Sequence, residues 1–386
     1  MIKLCEKYDC TGCGACMNVC PKHAIKMTVD QEGFLYPQVD ASLCVECQLC
    51  QKACHILFPV DIHPQVDNPI AVVAKSDAIR EKSSSGGMFS ILAHEIISRG
   101  GIVYGAGFGE EYSLFHQKAE NEDELVKLRG SKYYQSDIKE TYKEVKLNLK
   151  QERDVLFTGT PCQIAGLYAY LGKCNLDHLY TADIVCHGVP SSKSFHLFLE
   201  KLAITEGCAK LDIQNYTFRD LNGWNITPSY KTPNKVVTNQ PLSKNLFMQL
   251  FLNSLLHREC CYHCRYTKPS RVSDITLADF WGIGTVKAFH HDTTKGCSLV
   301  LVNSEKGKML FESIAENIYF EHREWKEALA QNHQLYMSSI RPKRRSGMYT
   351  FLENHTPEEV YQYCFNTPIL KCKRLVSKVL KCFHLR

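Results

Sequence analysis

The chain lacks long apolar runs and an apolar signal core at its start. A transmembrane helix needs about 20 mostly apolar residues, and no stretch of the 386-residue sequence approaches that length. The first residues, Met-Ile-Lys-Leu-Cys-Glu, do not resemble the apolar segment of a secretory signal peptide. We therefore expect a cytoplasmic protein, in which the 20 cysteines stay reduced and are available as metal ligands.

The sequence also lacks a basic excess over most of its length. Residues 341–386 carry ten Lys or Arg and three Glu, which leaves a net charge of −2 for residues 1–340 out of the overall +5. We therefore expect no nucleic-acid partner. A dinucleotide fingerprint is missing too, because Gly105, Gly107 and Gly109 do not follow the G-x-G-x-x-G spacing that leads into a helix.

Cysteine is abundant near the N-terminus, where eight cysteines form two runs of identical spacing, C-x2-C-x2-C-x3-C. The runs are Cys10, Cys13, Cys16 and Cys20, and Cys44, Cys47, Cys50 and Cys54. This spacing is identified as that of bacterial two-cluster ferredoxins, in which the fourth cysteine of each run binds the other cluster. We therefore predict two [4Fe-4S] clusters. The first site would comprise Cys10, Cys13, Cys16 and Cys54, and the second site Cys44, Cys47, Cys50 and Cys20.

Other uses of these thiols fit the pattern less well. Structural zinc sites are built from CxxC pairs, usually with a longer gap between them. A disulfide framework belongs in an oxidising compartment. One position departs from the ferredoxin pattern: Pro21 follows the first run, whereas His55 follows the second.

Residue patterns divide the chain into a ferredoxin-type domain at 1–57, a linker at 58–69, a larger domain at 70–340 and a basic, helical C-terminal tail at 341–386. The small domain should have an α+β fold, with strands at 24–29 and 34–39. In the larger domain, strands and helices alternate, which predicts an α/β fold with a central sheet flanked by helices. Its predicted strands are 70–74, 102–104, 155–158, 181–186, 274–277 and 299–302. Its predicted helices are 88–98, 138–149, 163–171, 194–202 and 306–314.

Four further cysteines occur in contexts that suggest a site. Cys162 and Cys186 each follow a predicted strand, and Cys261 and Cys264 form a CxxC pair. Sites in α/β proteins are usually built at the carboxyl edge of the sheet. Spacing alone leaves several interpretations open. They are a third [4Fe-4S] cluster with Cys260 as a substitute ligand, a zinc site, a Cys162 nucleophile with His187 as its base, and simple buried thiols.

Two segments could hold a phosphate group. The turn 83–87, Ser-Ser-Ser-Gly-Gly, precedes a predicted helix, and helix N-termini favour anions. The segment 129–133, Arg-Gly-Ser-Lys-Tyr, places basic side chains beside small residues. The alternatives are an ordinary serine N-cap for the turn and a solvated basic surface for the second segment.

Six motifs occur in a fixed order along the larger domain. They are Ser-Ser-Ser-Gly-Gly-Met-Phe-Ser at 83–90, Arg-Gly-Ser-Lys-Tyr at 129–133, Gly-Thr-Pro-Cys-Gln at 159–163, Cys-His-Gly-Val-Pro-Ser at 186–191, Cys-Tyr-His-Cys at 261–264 and Ser-Asp-Ile-Thr-Leu-Ala-Asp-Phe-Trp-Gly at 273–282. The ordered set resembles the coenzyme F-420 hydrogenase/dehydrogenase beta-subunit family. The resemblance implies a third [4Fe-4S] cluster bound by Cys162, Cys186, Cys261 and Cys264. It also implies FAD, with contacts from Ser84, Ser85, Gly86, Gly87, Ser131 and Lys132.

The function implied by the resemblance is that of an FAD-dependent iron-sulfur oxidoreductase. Electrons would pass from the ferredoxin-type clusters through the third cluster to FAD and a small organic acceptor, whether or not coenzyme F-420 is used. Similar bacterial proteins often occur beside polysaccharide-synthesis genes, which suggests a link to that process. The alternative is a non-catalytic electron-transfer subunit that serves a partner enzyme. The expected redox partner is reduced ferredoxin or a partner subunit.

The tail combines apolar and basic residues at helical spacing. The apolar residues are Leu370, Leu375, Val376, Val379, Leu380 and Phe383. Such a helix can rest on an anionic membrane surface. Docking on its own domain or on a partner subunit is the favoured interpretation.

Overall fold

The computed structural model describes residues 2–366 of the chain. Its N-terminal part contains helix α1 (Ala15–Val19), strands β1 (Ile25–Val29) and β2 (Leu35–Val39), and helix α2 (Leu49–Lys52). The two strands form an antiparallel hairpin in which Ile25 pairs with Val39 and Val29 with Leu35. The side chain of Asp30 closes the turn by accepting hydrogen bonds from the backbone amides of Glu32 and Phe34. The predicted small α+β unit is confirmed.

The larger domain is built on an eight-stranded mixed sheet, which confirms the predicted α/β fold. Its strands are β3 (Ile70–Ala74), β4 (Ile102–Phe108), β5 (Leu114–Ala119), β6 (Val155–Gly159), β7 (Leu179–Ile184), β11 (Ile275–Asp279), β12 (Ser298–Val302) and β13 (Ile318–His322). Their order is β13-β3-β12-β11-β7-β6-β4-β5. A separate three-stranded sheet contains β8 (Gln214–Thr217), β9 (Ser229–Lys231) and β10 (Val236–Val237).

Helices cover the sheet and join its strands. They are α3 (Asp77–Glu81), α4 (Met88–Ser98), α5 (Glu122–Leu125), α6 (Thr141–Lys150), α7 (Pro161–Leu171), α8 (Ser192–Glu206), α9 (Leu246–Leu252), α10 (Glu305–Ser313), α11 (Trp325–Leu329), α12 (Met348–Asn354) and α13 (Pro357–Phe365). None of the helices within residues 2–366 is long and apolar enough to cross a membrane.

Alternation along the strands separates two cores on opposite faces of the sheet. In β6, Leu156 belongs to the core that includes Ile91 of α4, whereas Val155 and Phe157 belong to the core that includes Ile164 of α7. All five are nearly or fully buried. Fully burying an aliphatic or aromatic side chain of this kind contributes roughly 1.5–3 kcal/mol. The two-residue period of the strand therefore positions α4 and α7 on opposite sides of the sheet.

Five strands of the sheet run in the same direction and end at one edge. Strands β4, β6, β7 and β11 pair in parallel, and β12 runs antiparallel to both β11 and β3. Strand β3 therefore runs with the parallel group. The segments that follow β6, β7 and β11 contain Cys162, Cys186 and Trp281, so these residues lie at the carboxyl edge.

The C-terminal boundary predicted at residue 340 differs from the structure. Helices α12 and α13 follow it, and Tyr349, Leu352, Val360 and Phe365 are buried in a core that also contains Phe195 of α8. Residues 341–366 are therefore packed against the larger domain. The amphipathic segment proposed for membrane contact, residues 370–383, lies outside the described residues.

Candidate iron-sulfur and cofactor sites

The second site forms a pocket lined by the four cysteines that the spacing assigns to it. Cys20, Cys44, Cys47 and Cys50 surround a volume of about 320 Å³. Cys20 follows α1, and its Sγ accepts a hydrogen bond of 3.3 Å from the amide of Ala24. Cys50 lies on α2 and is buried, whereas Cys47 is exposed. The arrangement fits a cluster that is held in the small domain and open to solvent on one side.

The four thiols of the first site perturb one another, in the combination that the spacing predicts. Burial, together with the Cys10 and Cys54 thiolates, raises the pKa of Cys13 to about 12. Burial and the same neighbours also raise the pKa of Cys16. The sequence analysis missed a fifth thiol here, because Cys5 is hydrogen-bonded to both Cys10 and Cys54. That hydrogen bond is the main cause that lowers the pKa of Cys10 to about 6.

The third set of thiols comes together at the carboxyl edge of the sheet. Burial raises the pKa of Cys162 well above its usual range, and the thiolates of Cys264, Cys186 and Cys261 act in the same direction. Burial and the thiolates of Cys261 and Cys264 raise the pKa of Cys186 to about 12. The fold thus gathers four cysteines that are widely separated in sequence, which is the donor set that a [4Fe-4S] cluster uses.

The local structure at Cys162 explains how this thiol is positioned. Thr160 caps α7, Pro161 begins the helix, and Gln163 completes a capping box. Cys162 Sγ lies 3.2 Å from Thr160 Oγ1. Within residues 2–366, no group of three His, Cys, Asp or Glu side chains is arranged to hold a metal ion. The nucleophile and zinc interpretations stay predictions, as does the cluster.

Cys260 lies beside this third set. Its thiol is hydrogen-bonded to Cys261, and this contact is the largest cause that raises the pKa of Cys261. Both cysteines belong to the 3₁₀ turn Glu259–His263. Cys260 is therefore placed where it could replace Cys261 as a ligand, so Cys261 is a poor position at which to test the third cluster.

A hydrogen-bonded chain connects the first site with the third. His55 Nε2 lies 3.0 Å from Thr11 Oγ1, and His55 Nδ1 lies 2.7 Å from the hydroxyl of Tyr266. Thr11 follows Cys10, and Tyr266 stands two residues after Cys264. Burial lowers the pKa of His55 to about 4, so the ring is neutral at pH 7. The departure from the proline pattern at position 55 therefore places a buried link between the two sites.

The small domain also packs closely on helix α7. A side chain added at Gly166 would place its Cβ 2.9 Å from the Sγ of Cys13, so only glycine fits here. Cys13, Cys162 and Cys264 adjoin one hydrophobic cluster, which also contains Tyr142 and Tyr266. First-site and third-site thiols are thus separated by a small number of packed side chains.

The two segments predicted to contact FAD meet in the structure. Ser84 Oγ accepts a hydrogen bond of 3.2 Å from the backbone amide of Ser131. Gly87 caps α4 with a positive φ of 92°, and the amides of the first turn of α4 are left for other acceptors. Ser85 Oγ donates to the carbonyl of Cys297, at the sheet edge. The geometry brings the turn and the second segment to one place, and the FAD contacts stay a prediction.

Two of the predicted FAD residues have structural roles of their own. A Cβ at Gly86 would lie 2.2 Å from the carbonyl oxygen of Val72, so this glycine is required for packing against β3. Lys132 Nζ donates to three carbonyl oxygens, those of Lys127, Leu128 and Arg129. Burial lowers the pKa of Lys132 to about 7. Its ammonium group is therefore directed at the backbone of its own loop.

Beside this turn lies a group of side chains that the sequence analysis assigned to the core. Trp224 and Trp281 stack with ring centroids 4.7 Å apart, and both rings are half-buried. Asp279 accepts from Trp224 Nε1 at 2.8 Å and from Arg219 Nη1 at 2.6 Å. A Cβ at Gly296 would touch both Ser85 and Trp224, so the stacked pair adjoins the turn. The Asp-Phe-Trp-Gly motif gave a signal for this group, but Trp224 has none.

Comparison with known proteins adds an independent result. The 4Fe-4S dicluster domain family matches residues 9–56, which confirms the predicted pair of clusters. The family described as the C terminus of the coenzyme F420 hydrogenase/dehydrogenase beta subunit matches residues 152–328. That range includes all four cysteines of the third set.

Individual relatives cover parts of the chain. The uncharacterized ferredoxin MJ0722 from Methanocaldococcus jannaschii is 37% identical over 49 residues, which are 13% of this chain and 62% of that protein. The chain thus spans less than two thirds of the length of this relative. A chain in the xenon-derivatised F420-reducing [NiFe] hydrogenase complex from Methanosarcina barkeri is 16% identical, with a TM-score of 0.48. The alignment covers 79% of this chain and 94% of that chain.

The predicted resemblance is confirmed, and the protein is an iron-sulfur electron-transfer protein. Over residues 152–328 the chain belongs to the coenzyme F420 hydrogenase/dehydrogenase beta-subunit family, and at residues 9–56 it carries a 4Fe-4S dicluster domain.

Proposed function

We propose that the chain is a flavin-dependent iron-sulfur oxidoreductase that passes electrons through three clusters to FAD and then to a small organic acceptor. The observation that carries this proposal is the shared hydrophobic cluster, which Cys13 of the first site adjoins together with Cys162 and Cys264 of the third. Two cysteine sets at such close quarters form a path, because electrons leaving the small domain meet the third site first.

The exposure of the sites supports a direction along this path. Cys47 of the second site is exposed, and Val45 beside it is 60% exposed. Cys10 of the first site is only 7% exposed. A reduced ferredoxin or a partner subunit would therefore reach the second site, and the first site would pass electrons inward.

The residues around the turn 83–87 fit the demands of FAD. The N-terminal amides of the 11-residue helix α4 and the hydroxyls of Ser84 and Ser131 can hold phosphate groups. The stacked Trp224 and Trp281 offer a planar apolar surface next to them. When bound, FAD would pair single electrons from the clusters for a two-electron transfer. The cytoplasmic location and the link to polysaccharide synthesis belong to this proposal.

Iron content tests the third cluster. Three [4Fe-4S] clusters require about twelve irons per chain, and loss of one leaves about eight. We expect Cys186→Ala, in anaerobically purified protein, to lower the iron content by about four. Cys186 is chosen over Cys261 because Cys260 cannot easily replace it. Cys364→Ala is the matched control, because Cys364 is buried but contacts Met348 instead of the third set. Equal iron in both variants would remove the third cluster from the proposal.

Flavin binding is tested separately at Ser131, which is half-buried and has no packing role like that of Gly86. Ser131→Asp should place a negative charge against the phosphates and abolish FAD binding, whereas the similarly shaped Ser131→Asn should retain it. A wild-type protein that takes up no FAD after anaerobic reconstitution would refute the flavoenzyme. Bound clusters and FAD without turnover of any organic acceptor would favour the non-catalytic electron-transfer subunit instead.

A further inference from the structure

Arg258 is a fully buried arginine that joins the loops of two cysteine sites. Its exposed fraction is 0%. Its backbone amide donates to the carbonyl of Val189, and its carbonyl accepts from the amide of Cys261. Its side chain reaches into the small domain, where Nε donates to the carbonyl of Cys10 at 2.7 Å and Nη2 to that of Leu35 at 2.9 Å. The backbone therefore belongs to the third site and the guanidinium to the first.

The small domain leaves space for this guanidinium. A Cβ at Gly12 would lie 2.9 Å from Arg258 Nη1, so the glycine between Cys10 and Cys13 makes the close approach possible. The ring of Tyr36 lies under the guanidinium, with its centroid 4.0 Å from Cζ. Nη1 donates to the side-chain oxygen of Gln135 at 3.1 Å. Every hydrogen-bond acceptor of this cation is thus a neutral oxygen.

Other buried arginines of this chain have a carboxylate partner. Arg271 pairs with Asp183 at 3.0 Å, and Arg323 pairs with Glu327 at 2.7 Å. Among the ion pairs formed within residues 2–366, none includes Arg258. A buried cation without a counter-charge is strongly destabilising. The cysteine thiolates of the first site are the negative groups beside it, so the bound cluster supplies the missing charge.

We propose that Arg258 sets the reduction potential of the first cluster by stabilising its reduced form. On reduction the cluster gains one electron, and therefore one further negative charge, while Arg258 stays protonated and bonded as before. A fixed positive charge in a buried site interacts more strongly with the more negative state. Potentials of such clusters respond to nearby charge and to solvent exposure. Arg258 thus makes the first cluster the stronger electron acceptor of the two in the small domain.

This inference depends on the dicluster domain and not on the third cluster or FAD. The test is an anaerobic redox titration of the full chain followed by electron paramagnetic resonance, with the second cluster as an internal reference. Cys47→Ser identifies the signal of that second cluster. We expect Arg258→Met to shift the reduced-to-oxidised ratio of the first cluster about tenfold or more toward oxidised, which is about 59 mV or more for one electron.

Two further variants separate charge from structure. Arg258→Lys keeps the charge and should retain most of the potential, whereas Arg258→Gln is neutral and should behave like Arg258→Met. Arg265→Met is the control, because Arg265 is exposed and its Nη1 donates to the carbonyl of Ile56 in the same small domain. Its removal should change the ratio less than about threefold, because water screens its charge.

The inference is overturned if Arg258→Gln and Arg258→Lys, both with iron content like that of the wild type, give the same first-cluster potential. It is also overturned if Arg265→Met shifts the potential as much as Arg258→Gln does. Should Arg258→Met fail to hold its clusters, the comparison of the Lys and Gln variants decides the matter. Iron and flavin content report on the proposed function independently of these potentials.

Discussion

Replacing Glu32 should loosen the small domain from the larger one. Glu32 lies in the turn between β1 and β2, and its two carboxylate oxygens accept from Arg345 Nη1 at 2.7 Å and Nη2 at 2.6 Å. The Arg345 side chain is 1% exposed, whereas that of Glu32 is 31% exposed. The Nε of Arg345 also donates to the carbonyl of His257. Glu32→Gln keeps the shape of the side chain but leaves a buried positive charge without its partner.

The size of the effect follows from this unequal burial. Removing one partner of a fully buried ion pair costs about 3–5 kcal/mol. Because the Glu32 carboxylate is about one-third exposed, water can partly replace it, and we expect a loss of about 2 kcal/mol. Since 1.4 kcal/mol corresponds to a factor of ten, the hairpin should open about thirty times more often.

Native-state hydrogen exchange of the β1–β2 amides measures this opening directly. Glu353→Gln is the matched control at the same interface. Glu353 pairs with Lys193 at 3.1 Å, but both side chains are substantially exposed, and such pairs contribute about 0–1 kcal/mol. The reasoning is wrong if exchange of the hairpin amides rises equally in the two variants, or if Glu32→Gln leaves it unchanged while its iron content stays at the wild-type level.

Further predictions concern electron transfer, acidity and the tail. Tyr266→Phe removes the hydroxyl that bonds His55 and should slow reduction of the third cluster after rapid mixing with reductant, whereas Tyr142→Phe, which loses only a bond to a helix carbonyl, should not; equal rates would exclude the hydrogen-bonded link. Burial lowers the pKa of His116 to about 4 from 6.5, so its contribution to stability is present above about pH 6.5 and is lost as the pH falls toward 4. Across that interval the wild type should lose roughly 3 kcal/mol more than His116→Gln in urea unfolding, and parallel profiles would contradict this. Truncation before Thr367 should leave iron and flavin content unchanged, and co-sedimentation of both forms with anionic vesicles at low salt tests the membrane interpretation; equal, negligible binding would leave docking.

Sequence alone determined those features that depend on local chemistry. The spacing of the two cysteine runs assigned four thiols to each cluster, and in the second site all four line one pocket. Strand β3 and helix α4 have the bounds that their patterns predict, because β-branched residues favour a buried strand and a Gly-Gly turn begins the helix. Ordered motifs were enough to identify the family of the larger domain.

Elements whose stability comes from distant partners were missed. Strand β13, with the sequence Ile-Tyr-Phe-Glu-His, is mostly exposed and exists because it pairs with β3, more than 200 residues earlier in the chain. The short strands β8 to β10 form a small sheet of their own, and nothing in their local sequence specifies which strand pairs with which. Helices α12 and α13 were assigned to a tail because their net charge hides the apolar face that packs in the core.

Only the tertiary structure decided how the sites are connected. The positions of Arg258, Tyr266 and Cys5 around the first site follow from the docking of the small domain on α7, and no spacing in the sequence encodes that contact. His55 was read as a flaw in the ferredoxin pattern, yet it is buried and bonded to both sides of the interface. Cysteine spacing fixes which thiols can share a cluster because ligands within one loop are neighbours along the chain. Electron paths and cluster potentials depend on side chains brought together through space, and these only the fold can place.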